Sequence, residues 1–193
     1  MYQKWMKLMS NTSKPARRLL HTSDVHLGAF DSSGSDQETR DKHHSYFNRV
    51  MDSAIDQKVD FAVIAGDFFD NARVYEETLQ FASDQITRLD APVIITPGNH
   101  DHVGPGSVYD RFDFKNETPN LSIMRESGGE TIHLETLDVQ IWGRSHTEQL
   151  PDFQPFINPP PPGNAPWQIG VGHGHYIHPK ALLHHSFHIR EQH

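Results

Sequence analysis

Two short, uninterrupted apolar runs constrain this chain more than any other feature. Phe61-Ala62-Val63-Ile64-Ala65 stops at Gly66-Asp67, and Val93-Ile94-Ile95-Thr96 stops at Pro97-Gly98-Asn99-His100-Asp101. A half-exposed strand would alternate apolar and polar residues. Runs without alternation read instead as strands covered on both faces, the habit of a parallel sheet. Arg18 to Ser23 reads as a third such strand, running into Asp24-Val25-His26-Leu27-Gly28.

Helical patterns separate the three. Phe47, Val50, Met51, Ala54 and Ile55 recur at helical spacing and predict an amphipathic helix over 42–59, after a polar loop from Asp31 to Asp41. Leu79, Ala82, Ile86 and Leu89 predict a second helix over 75–89. Strand, helix, strand, helix, strand is the order of right-handed crossovers in a parallel sheet. Such sheets collect ligands beyond the carboxyl ends of their strands, where all three polar motifs fall. After Asp113 the texture becomes turn-rich. Leu121–Met124, Thr131–Leu134 and Val139–Gly143 read as antiparallel or mixed strands of a second sheet. The proline run from Asn158 to Asn164 must be a loop, because proline cannot donate to a ladder. A last strand, Trp167 to Gly172, delivers His173-Gly174-His175.

Composition narrows the function classes. A chain of 193 residues with 35% hydrophobic content supports one globular core. No run approaches the ~20 apolar residues of a spanning helix, so no membrane partner is expected. The absence of cysteine excludes disulfides and thiolate ligands and agrees with a reducing cytoplasm, the expected location. A net charge of −8 argues against a broad basic face for nucleic acid, so any attraction for phosphate would be local and supplied by bound cations. The 15 histidines exceed ordinary usage and point to a metal site. Residues 1–17 read as a disordered basic arm, and 18–193 as the folded domain. The arm lacks the apolar centre of a secretory signal.

Each motif has a plain alternative. Asp24 and His26 offer a carboxylate and an imidazole suited to Mn, Fe or Zn, but Asp24 could equally cap the next segment. Asp67 follows a glycine that permits close approach and could reach two cations at once; it could also cap a helix, a role that equally suits Asp70. Asn99 supplies a neutral amide oxygen and His100 an imidazole, within what is otherwise ordinary turn chemistry. Three such motifs in order, each after a strand, favour the metal reading.

These residues resemble the calcineurin-like metallophosphoesterases. His21-Thr22-Ser23-Asp24-Val25-His26-Leu27-Gly28 and Trp142-Gly143-Arg144-Ser145-His146 are similar in particular to the SbcD-type branch of DNA repair exonucleases. The resemblance implies an α/β fold, a four-layer αββα sandwich with mixed sheets, and a two-metal hydrolase of phosphoester bonds. Two divalent ions are implied, Mn first, with Fe or Zn as alternatives. Asp24 and His26 would bind the first metal, Asp67 would bridge, and Asn99 with His173 would bind the second. His100 would act as general acid or transition-state stabiliser, with Asp101 holding its imidazole, while hydroxide attacks phosphorus in line. The substrate would be DNA or another phosphodiester, and the family context adds an ATPase partner.

The family pattern closes with Gly-His-x-His, one ligand to each metal. Gly172-His173-Gly174-His175 has that spelling, but its place straight after the long loop suits the earlier single-histidine motif. On that reading the C-terminal strands and closing motif are missing, His184, His185 and His188 belong to a polar tail opening the next helix, and His173 or His175 is the ligand. Two further readings stay open: a phosphatase or phosphodiesterase for a small substrate, and a non-catalytic metal-binding fragment.

Overall fold

The computed structural model describes residues 14–29, 36–148, 152–176 and 188–189, with the backbone alone at 36, 175–176 and 188–189. The apolar runs form the centre of a four-stranded parallel sheet in the order β1 (Leu19–Thr22), β2 (Phe61–Ala65), β3 (Val93–Thr96), β4 (Leu121–Ile123). All five residues of β2 and all four of β3 are buried, as the lack of alternation requires.

The two faces of this sheet carry different partners. Ala62, Ile64, Val93 and Ile95 pack with Phe47, Met51 and Ala54 of α1 (Asp36–Asp56) and with Leu79, Ala82 and Ile86 of α2 (Glu76–Thr87). Phe61, Val63, Ala65 and Ile94 point the other way, onto Met124, Val139, Ile141 and Val171. The latter three belong to a second, mixed sheet: β5 (Glu130–Leu134) is antiparallel to β6 (Val139–Gly143), which is parallel to β7 (Trp167–Val171). Helices, parallel sheet and mixed sheet thus make three successive layers of an α/β sandwich among the described residues. None of their helices is long and apolar enough to cross a membrane.

The structure departs from the sequence reading in several places. Among the described residues β1, read as a buried strand, is the edge of its sheet and alternates exposed and half-buried residues. Leu121–Ile123 extends the first sheet rather than the second. Residues 97–120 include two single-turn helices, α3 (Val108–Arg111) and α4 (Phe114–Glu117), and are long enough for a crossover to a parallel strand. Asn120 fixes the entry, its amide donating to the carbonyls of Ile86, Leu89 and Ala91. Helix α1 begins at Asp36, inside the stretch read as loop, because a polar face with no apolar period leaves no helical signal in the sequence. His188–Ile189 is a strand paired with β8 (His175–Tyr176), not the opening of a helix; His184 and His185 lie outside the described residues. Of the basic arm, residues 1–13 lie outside the described set, but residues 14–17 lie along the second sheet. Arg17 donates to Leu137 O at 2.9 Å, and Trp167 Nε1 donates to Pro15 O at 2.8 Å.

Candidate metal centre

The loops leaving β1 and β2 are laced together beyond the strand ends. Asp24 N donates to Gly66 O, His26 N to Asp67 O and Leu27 N to Phe68 O, at 3.1, 3.0 and 2.9 Å, and Asp70 N returns to Leu27 O at 3.0 Å. This lacing holds Asp24, His26 and Asp67 at φ of 53, 50 and 50°, left-handed values that cost side-chain-bearing residues on the order of 1 kcal/mol each. The three strained residues are the three candidate ligands of these loops.

Asp67, 4% exposed, is the hub. Its Oδ1 accepts from the main-chain N of His100 at 3.0 Å, while Oδ2 lies 3.2 Å from His173 Nε2 and 3.8 Å from His26 Nε2. Donor atoms gather into two clusters that share it: His26, Asp67 and His100, and Asp24, Asp67 and His173, each with all atoms within 4.8 Å. Together with Asn99 these residues line one open crevice of about 520 Å³. The site therefore brings together every expected ligand except His175, whose side chain lies outside the described residues. The grouping differs from the expected one. Asp24 and His26 fall into different clusters, and His100 joins His26.

Electrostatics follow from burial and pairing. Burial works to raise the Asp67 carboxyl, but the His173 ring and the His100 amide outweigh it and hold the group below the usual carboxylate range. Burial works to lower the His173 imidazole, and Asp67 outweighs it and raises the ring. His146, fully buried and with its ring against Phe153, is pushed down to about 4 by burial.

The imidazole of His100 is not held by Asp101. Its Nδ1 lies 2.9 Å from the carbonyl of Asp70 and 3.9 Å from that residue's carboxylate, whose Oδ1 also stands 3.2 Å from His26 Nδ1. Asp101 turns inward and accepts from the amides of Gly98, Phe68 and Phe69 at 2.7, 2.8 and 3.2 Å and from the Tyr109 hydroxyl at 2.6 Å. Burial pushes its carboxyl up and these donors pull it back. Its place is structural: four donors converge there, so the side chain knits the β2 and β3 loops together. Asp70 is the residue sequence reasoning misplaced. It is no helix cap, since Tyr75 precedes α2; its position three residues after Asp67 was its only signal.

The crevice suits divalent cations. Carboxylate and imidazole donors without thiolate match Mn, Fe or Zn. The His26 ring turns Nε2 toward Asp67 while its Nδ1 stands against the Asp70 carboxylate, so Nε2 is the nitrogen placed for a cation.

The DNA double-strand break repair protein Mre11 of Methanopyrus kandleri is 35% identical over 104 residues, 49% of this chain and 22% of that protein. Its counterpart in Methanosarcina acetivorans is 36% identical over 87 residues, 44% of this chain and 14% of that one. The matches thus span less than a quarter of these relatives' length. The crystal structure of Pseudomonas putida nuclease MPE aligns at a TM-score of 0.42 with 22% identity, covering 72% of this chain and 56% of that one. The profile described as calcineurin-like phosphoesterase matches residues 17–190, nearly the whole sequence, and the chain belongs to that family, whose members use divalent metals to hydrolyse phosphoesters.

Proposed function

We propose that this chain hydrolyses phosphodiester bonds at a two-cation centre, with DNA as the substrate and Mn as the first-choice ion. The observation that carries the reading is the pair of donor clusters sharing Asp67. A carboxylate shared between two donor clusters is what allows two cations to sit ~3.5–4 Å apart; here the Oδ2 of Asp67 faces both His173 and His26. In this reading Asp24, Asp67 and His173 hold one cation, and His26 with Asp67 holds the other. Asn99 adds a neutral oxygen, and His175 remains the candidate for a further ligand. Fe and Zn fit the same donors. Cations bound there supply Lewis acidity, offsetting charge on the phosphoryl oxygens and making a hydroxide nucleophile available near neutral pH.

The chain's own residues do the rest. His100 is 41% exposed at the mouth of the crevice, and its Nδ1 is engaged by the Asp70 carbonyl. That bond occupies the Nδ1 proton and fixes the ring, so that in the doubly protonated imidazolium Nε2–H is the position that gives a proton to the leaving oxygen. Asp70, near both His26 and His100, keeps the two rings in register. The similarity to Mre11 proteins supports DNA as substrate, and an ATPase partner and a cytoplasmic setting belong to the same proposal, as does a domain starting near residue 18.

The test is hydrolysis by chelator-stripped protein reloaded with Mn, Fe or Zn, on linear DNA and on bis(p-nitrophenyl) phosphate. Cation-dependent DNA cleavage that disappears in Asp67→Ala supports the reading. Cleavage of the small ester with DNA untouched under every metal assigns a small-substrate phosphodiesterase instead. Neither turnover nor cation uptake overturns both.

A further inference from the structure

His26 and His173 belong to different donor clusters, yet their main chains are held in the same way. The carbonyl of His26 lies 3.0 Å from Nδ1 of His43, and the carbonyl of His173 lies 3.3 Å from Nε2 of His146. A carbonyl only accepts, so in each case the imidazole donates. Neither His43 nor His146 is itself in a donor cluster.

Each is also well placed to fix what it touches. His26 sits at φ 50°, so its ring stays toward Asp67 only while the turn is pinned; the same carbonyl takes a second bond from Ala29 N at 3.1 Å. His43 reaches that turn from α1, whose apolar face is anchored in the core through Phe47 and Met51. His146 is anchored still more firmly. Its main-chain N donates to Pro97 O at 3.4 Å and its carbonyl accepts from Val103 N at 2.8 Å, on either side of the Gly98–Asp101 turn. His173 Nδ1 meanwhile lies 3.0 Å from Ala65 O, so ring and main chain of this residue are both tied.

We propose that His43 and His146 are positioning residues of the cation centre, one for each cluster: His43 fixes His26, and His146 fixes His173. The inference rests on the cation-binding reading above. It accounts for two histidines that hold no donor position and gives a chemical signature that packing alone would not. His43 acts through Nδ1, whose place an asparagine amide nitrogen can take. His146 acts through Nε2, whose place a glutamine amide nitrogen can take.

The experiment is titration of Mn(II) into the chelator-stripped full chain, with free Mn followed by electron paramagnetic resonance and the metal-free melting temperature measured alongside. Wild type is expected to bind two ions. His43→Ala should weaken one of them by about 10–100-fold, the usual effect of removing a group that orients a ligand, while the other stays tight. His43→Asn should restore most of the loss and His43→Gln should not; at position 146 the order reverses, with Gln tight and Asn weak. Since His146 is buried, its variants are compared at matched melting temperatures, and the His43 series decides alone if they do not fold. Wild-type-like binding of both ions in His43→Ala, or Asn and Gln acting alike at position 43, overturns the proposal. A wild-type chain that takes up no Mn overturns the cation reading itself, a result distinct from either.

Discussion

The Cα of Gly98 packs directly on the carboxylate of Asp67. A methyl group there would lie 2.2 Å from Asp67 Oδ1 and 2.5 Å from its main-chain N. The requirement is one of space, since φ at Gly98 is not in the left-handed region, and a laced turn cannot retreat. Gly98→Ala should therefore push the shared carboxylate aside and weaken both cations together, by tenfold or more each, at a stability cost of about 1–3 kcal/mol. Gly66 gives the contrast. It sits at φ 83°, with a Cβ position 2.2 Å from the His173 ring, so Gly66→Ala should weaken mainly the ion beside His173. Mn titration of the two variants checks this; a Gly98→Ala protein with wild-type affinity would sink it.

Asp101 and His100 are neighbours with opposite expected phenotypes. Asp101 is 1% exposed and accepts four hydrogen bonds, whereas His100 stands open to solvent. In Asp101→Asn the amide would turn an NH2 toward donors, leaving buried N–H or O–H groups unpaired at about 1–3 kcal/mol each. That variant should melt well below wild type. His100→Ala should melt within a few degrees of wild type and lose hydrolysis by about 10²–10⁴-fold, the range for removal of a general acid. Thermal melts and chromogenic ester turnover on the same samples separate the two.

Much of this was legible in the sequence. Phe61–Ala65 and Val93–Thr96 announced buried parallel strands because burial on both faces erases alternation, and the motifs after them followed from where such sheets keep their ligands. Leu121–Ile123 was not legible: three residues carry no period, and only the Asn120 anchor and the hydrogen bonds to β3 assign them to the first sheet. The side-chain partners within the site were equally hidden. The resemblance set Asp101 against the His100 ring, but adjacency along the chain does not fix which way a side chain faces. Hence Asp101 turned inward, and Asp70 came to lie beside His100. His43 sits on a helix with no motif around it, and only its contact with the His26 carbonyl distinguishes it.

Asp70 touches two rings but contributes through its main chain as well as its carboxylate. The carbonyl bond to His100 survives any side-chain change, so Asp70→Ala should leave His100 in place while freeing the His26 ring, whose Nδ1 lies 3.2 Å from the lost carboxylate. Turnover is expected to fall by about tenfold, less than for His100→Ala, with the melting temperature near that of wild type. Steady-state hydrolysis of a chromogenic phosphodiester measures it. A loss equal to that of His100→Ala would mean that the carboxylate, not the carbonyl, orients the general acid.

The buried His146 ring makes stability depend on pH in a definite direction. Its folded-state pKa is lowered from 6.5 to about 4 by burial, so between those values the unfolded chain binds the proton that the folded chain refuses. Stability is therefore full above about pH 6.5 and is lost as the pH falls toward 4, by at most on the order of 3 kcal/mol. Other groups titrate nearby. His173, raised by Asp67, works the other way, lending stability at low pH that is lost as the pH rises through its folded pKa; the lowered Asp67 adds to the acid loss at the bottom of the range. Comparison with His146→Gln cancels both, since glutamine keeps a donor toward the His173 carbonyl and does not titrate. Urea unfolding of the metal-free proteins at pH 7, 6, 5 and 4 should show wild type losing stability faster than the variant between pH 6 and 4. Parallel curves would mean that His146 takes up its proton without unfolding, and that the pocket against Phe153 opens to water in acid.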